Sequence, residues 1–158
     1  MAYNDMLSVG RYYLKYIDNY EKDKVIVKIE KLLDDYKYVF SLDLINRVSE
    51  LFGNNEKIGQ KNKYITRFGI AQKIVNMTFK YLYCYNDYIS ELDIDYSNCD
   101  CPLDSVIINN LSLKYTWSKL TLEQYIECQS KIKQIVKEYK DNEELSLLGN
   151  LAYDFKVW

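Results

Sequence analysis

The sequence predicts an all-α fold, a compact bundle of about seven helices, on three observations. Apolar residues recur at spacings of three and four along most of the chain. No segment alternates strictly between apolar and polar for more than a few residues. Helix start and stop residues sit where the periodic runs begin and end: Ser41, Gly53, and Thr121 followed at the third position by Gln124. With 158 residues the chain suits one domain large enough to bury most of the surface its unfolded form exposes, so 1–158 is read as a single helical domain. Hydrophobic residues at 48% and charged residues at 28% are ordinary globular usage.

Taken in order, Met6, Val9, Tyr13, Leu14 and Ile17 line one face of a helix over 5–20. Val25, Ile26, Ile29, Leu32, Leu33 and Tyr36 do the same over 23–38, with Lys and Asp on the other face. Ser41 caps a third helix carrying Leu44, Ile45, Val48, Leu51 and Phe52, which Gly53 and Asn54 stop. The polar stretch 54–67, with Gly59 inside it, reads as a loop. Residues 69–85 are apolar almost all round, the mark of a central, buried helix. After a loop over 86–101, Pro102 suits the first position of a helix that Val106, Ile107, Ile108 and Leu111 continue. Thr121 and Gln124 form a capping box for a long helix to Lys140, and a last helix over 143–157 ends at Trp158.

Several chemistries drop out. The chain has no His, which removes His bases, Ser-His-Asp and Cys-His nucleophile systems, and His-held metals. It has no glycine-rich phosphate loop and no dinucleotide fingerprint, so no nucleotide cofactor is expected. No run of eighteen apolar residues and no secretory pattern at the start is present, so a cytoplasmic protein without membrane contact is expected. Cys84, Cys99, Cys101 and Cys128 read as reduced thiols acting as small hydrophobes. Cys99 and Cys101 stand one residue apart rather than at the usual zinc spacing, so no metal is expected. The seventeen Tyr read mainly as half-buried packing residues.

The small net charge of −2 conceals a dipolar middle. Between Glu56 and Lys80, six cations (Lys57, Lys61, Lys63, Arg67, Lys73, Lys80) face one acid, a local balance of +5. From Tyr81 to Ser105 the sign reverses, with Asp87, Glu91, Asp93, Asp95, Asp100 and Asp104 and no Lys or Arg. Within this region Gly69-Ile70-Ala71-Gln72-Lys73 opens one apolar helix and Pro102-Leu103-Asp104 opens another.

This pair of openings resembles the helix-hairpin-helix DNA glycosylases, whose hairpin reads Gly-x-Gly-x-Lys and whose later motif reads Pro-x-Asp; Ala71 stands at the second glycine. The separation of Lys73 and Asp104 is similar to that in the archaeal 8-oxoguanine glycosylase branch. The match covers about Phe68 to Ile108. It implies that Lys73 is the amine nucleophile, Asp104 the essential carboxylate and DNA the partner, bound by a monomer. The chemistry is sound on its own terms. A desolvated amine can attack the sugar C1′, and a carboxylate at a helix start can stabilise the cationic sugar as the base departs. Lys57, Lys61, Lys63 and Arg67, with the backbone at Gly69 and the side chain of Gln72, are candidates for phosphate and DNA contact. Asn76, Trp117 and Trp158 are candidates for reading or stacking an extruded base, with a modified base in foreign DNA as the expected substrate class. The competing expectation is a helical protein without enzymatic activity, such as a phage-encoded inhibitor, whose acidic stretch from Asp87 to Asp100 imitates nucleic acid.

Overall fold

The computed structural model describes residues 22–61, 63–85, 92–139 and 141–158. The helix expected over 5–20 lies outside them. The first described helix, α1 (Lys22–Asp35), buries Val25, Ile29 and Leu33, one side chain per turn. It closes through Lys37 and Tyr38, both at positive φ (52° and 54°). In α2 (Leu42–Glu50) the Ser41 hydroxyl accepts the Leu44 N–H at 3.1 Å, and Leu44, Ile45 and Val48 are completely buried.

The segment expected as a loop is instead an antiparallel hairpin, β1 (Lys57–Gln60) and β2 (Lys63–Thr66), with Ile58 opposite Ile65 and both buried. Each strand has four residues and β1 turns only one apolar side chain inward, too short a run for alternation to stand out from a polar loop. Thr66 ends β2 and caps α3 (Arg67–Cys84). Its hydroxyl accepts the Gly69 N–H at 3.0 Å and donates to the Leu120 carbonyl at 2.8 Å. As expected for a central helix, α3 buries Ile70, Ala71, Ile74, Val75 and Phe79.

Residues 92–104 are irregular. Pro102 is not the first residue of the next helix: Asp104 is the cap of α4 (Ser105–Asn110), and Pro102 lies buried two positions ahead of it. A carboxylate accepting an exposed N–H outranks the fixed φ of proline as the starting signal. A 3₁₀ turn (Trp117–Lys119) leads to Thr121, whose capping box with Gln124 forms as expected at the head of α5 (Leu122–Val136). A second 3₁₀ turn follows at Lys137–Tyr139. The single last helix expected is two, α6 (Glu143–Ser146) and α7 (Leu151–Val157). Gly149 breaks it, at φ +55°, where a Cβ would stand 2.4 Å from the Ser97 carbonyl oxygen.

The described residues thus hold seven α-helices and one two-stranded sheet. Their buried apolar side chains form one cluster from Val25 on α1 to Tyr153 on α7. No described helix is long and apolar enough to cross a membrane.

Candidate active site

Four of the polar side chains on α3, Gln72, Lys73, Asn76 and Lys80, fall into two classes. Gln72 and Asn76, one turn apart, are fully buried. The Gln72 amide clamps Leu103, donating from Nε2 to its carbonyl at 3.0 Å and accepting its N–H on Oε1 at 3.2 Å. Asn76 Nδ2 lies 3.3 Å from Gln72 Oε1, 3.4 Å from the Cys101 carbonyl and 3.0 Å from the Tyr125 hydroxyl. From α5, Gln129 treats Cys101 as Gln72 treats Leu103, donating to its carbonyl at 2.7 Å and accepting its N–H at 3.1 Å. Side chains from two helices therefore satisfy the buried backbone of 101–103 where no secondary structure does so. That rigid strap is what aims Asp104.

The second class is Lys73 and Lys80, two turns apart on α3. Lys73 Nζ sits 3.1 Å from Asp104 Oδ2, with side chains 16% and 20% exposed. Asp104 divides its two oxygens: Oδ1 accepts the Ile107 N–H at 2.9 Å at the start of α4, and Oδ2 meets the amine. An amine and a carboxylate are thereby held in contact, partly open to solvent. Lys80 Nζ lies 2.5 Å from Asp154 Oδ2 on α7, in a contact without hydrogen-bond alignment, and the Asp154 side chain is only 2% exposed. Burial raises the Asp154 carboxyl above the usual range, with Lys80 and then Lys73 pulling it back and Asp104 adding to the rise.

The Cys101 thiol is buried and is raised first by burial and then by Asp154 and Asp104. Burial also pushes Cys99 up to about 12 and Cys128 up to about 11, so these thiols stay protonated and pack as small hydrophobes, as expected; Cys84 is exposed. Asp100, bonded by the Tyr125 hydroxyl at 2.8 Å, is pushed up to about 6 by burial, against the hydrogen bonds from Tyr125 and Asn150.

The structure thus brings Lys73 and Asp104 together across thirty-one residues of sequence. Gln72 and Asn76, expected at the DNA and in the base pocket, are placed in the core behind them, with their amides committed to the strap. Gly69 is required by close packing: a Cβ there would stand 2.8 Å from both Thr66 Oγ1 and the Trp117 carbonyl oxygen. Arg67 donates to the Gly53 carbonyl at 2.8 Å. Lys57, Lys61 and Lys63 are exposed on the hairpin that feeds α3. Lys57 and Lys119 both stand over the Tyr64 ring, at 4.7 and 4.6 Å from its centre. Trp117 is half-buried against the core, whereas Trp158, just past α7, is 70% exposed.

Of the acidic stretch, Asp87 and Glu91 lie outside the described residues, Asp93 is exposed, and Asp95 accepts the Ser97 N–H at 2.9 Å. Asp100 and Asp104 are drawn into the fold. Sequence reasoning missed Tyr64, Lys119, Asp100, Tyr125, Gln129, Asn150 and Asp154 as parts of these arrangements. The one available signal was a Gln and an Asn four apart in an otherwise apolar helix, which demands buried partners. Comparison with protein-family models, curated proteins and solved structures finds no match to the chain.

Proposed function

We propose that this chain is a DNA glycosylase in which Lys73 and Asp104 carry the reaction. The observation that supports it is the contact of the Lys73 amine with Asp104 Oδ2 at 3.1 Å, on a carboxylate anchored at a helix start and partly open to solvent. The exposed Lys57, Lys61 and Lys63, with Tyr64 between Lys57 and Lys119, supply the phosphate-facing surface. The protein works as a monomer on DNA in the cytoplasm, and a modified base in foreign DNA is the substrate class.

The two groups divide the work. Asp104 accepts a proton from the Lys73 ammonium, and the freed lone pair forms the N–C1′ bond as the glycosidic C1′–N bond breaks. As the base leaves with that electron pair it takes up this proton from Asp104, and the restored carboxylate stabilises the positive charge that develops on the sugar and the bonded nitrogen. Transfer of one amine proton to the ring oxygen as the ring opens leaves a protonated Schiff base, and loss of a C2′ proton then expels the 3′ phosphate in β-elimination, giving the lyase product.

The test is a panel of duplexes, each with one modified base, assayed for free base and abasic sites. At least one duplex is expected to release its base. Asp104→Asn, which keeps a good helix cap while removing the charge, is expected to slow release by about 100-fold or more. No base release from any duplex overturns the reading. If Lys73→Ala still makes abasic sites, water activated by Asp104 is the nucleophile and the enzyme is monofunctional.

A further inference from the structure

A cavity of about 310 Å³ lies among residues 97–100, the end of α5 and the start of α7, and shares no lining residue with the Lys73–Asp104 pair. Its charges are ordered. Asp100, mostly buried, is the one acid of its lining, beside the buried Asn150. Lys133 and Lys137, four residues apart and both exposed, line it as well, together with Val136. Asp100 accepts the Tyr125 hydroxyl on Oδ2 at 2.8 Å and the Asn150 amide on Oδ1 at 3.4 Å. A carboxylate offers about two acceptor sites per oxygen, so these two donors do not use up its capacity to accept.

A ligand with neighbouring N–H donors for the carboxylate and an anion for the two lysines complements this lining. We propose that this cavity binds a guanine nucleotide, the N1–H and N2–H of the base on Asp100 and the phosphate on Lys133 and Lys137. An ionised carboxylate only accepts, so it pairs with guanine through two parallel bonds. Adenine presents one donor beside an acceptor, and that acceptor would face the carboxylate. The volume is on the scale of small-molecule and cofactor sites. Gly149 lets the wall form, because any side chain there would displace the 97–99 backbone. The site goes beyond the glycosylase reading and uses none of its catalytic residues.

Titration calorimetry on the full chain with GMP, AMP and inorganic phosphate tests it. Saturable GMP binding is expected, at least about tenfold tighter than either alternative. Lys133→Ala/Lys137→Ala is expected to weaken GMP by about tenfold or more. Both side chains are exposed, so the fold should survive, which an unchanged melting temperature confirms. Asp100→Asn is expected to erase the preference for GMP over AMP. If that variant does not fold, the base comparison and the lysine variant still decide. No saturable GMP binding at millimolar concentration, equal affinity for GMP and AMP in the wild type, or unchanged GMP affinity in the lysine variant overturns the proposal.

Discussion

Two lysines of α3 each meet an aspartate, Lys73 with Asp104 and Lys80 with Asp154, and the two pairs differ in burial and anchoring. Lys73 and Asp104 are both partly exposed, and Asp104 is tied to a helix start through its other oxygen. In the Lys80–Asp154 pair the carboxylate is almost wholly buried and its carboxyl is raised by that burial. The first pair presents an amine and an anchored carboxylate, both partly open to solvent. The second fastens α7 to α3 and keeps a buried carboxylate compensated. Residue type and spacing alone, Lys against Asp twice, do not distinguish them; solvent access and the anchoring of the acid do.

The widest separation is expected in catalysis. Lys73→Ala should abolish covalent capture of DNA, a loss of at least about 100-fold, while Lys80→Ala leaves turnover of the folded enzyme within a few-fold, as read by single-turnover base release. In stability the order reverses. Lys80→Ala strands the buried Asp154 charge and should cost about 3 kcal/mol in urea unfolding, against about 1 kcal/mol or less for Lys73→Ala, whose partner keeps some solvent and its helix-start hydrogen bond.

Gln72→Ala tests whether the strap that aims Asp104 is a separate structural layer. It leaves the buried Leu103 N–H and carbonyl without their side-chain partner and should cost about 2 kcal/mol. The pH dependence tests the buried carboxyls. Asp100 is raised to about 6 in the folded protein, above its ordinary value, so the fold disfavours its ionised form. Stability should therefore rise as pH falls from 7 through 6 toward 5, with Asp154 acting in the same direction, and Asp100→Asn should flatten the rise in the urea midpoint. The smallest effect is expected far from both pairs, where Thr121→Ala removes one side of a capping box and should cost about 1 kcal/mol.

The helices were legible because each buries one stripe of a local repeat: Val25, Ile29 and Leu33, or Leu44, Ile45 and Val48. The Ser41 and Thr121 caps were legible for the same local reason. The hairpin was hidden by its length, and the break at Gly149 by a contact with Ser97 fifty-two residues earlier. At the site, Lys73 and Asp104 stood out through the residues around them, Gly69 and Pro102. The roles of those neighbours differ from the expectation. Gly69 admits the 3₁₀ turn, Asp104 itself starts α4, and Gln72 turns inward. The strap and the Lys80–Asp154 contact join residues 25 to 74 positions apart, a separation at which single-sequence periodicity carries no information.

The most direct measurement is borohydride trapping of the protein on a duplex whose base it releases, with wild type, Lys73→Ala and Lys80→Ala compared in one gel. A covalent adduct with the wild type and with Lys80→Ala, and none with Lys73→Ala, is the expected result. An adduct that survives in Lys73→Ala and disappears in Lys80→Ala would contradict the assignment of chemistry to the first pair and structure to the second.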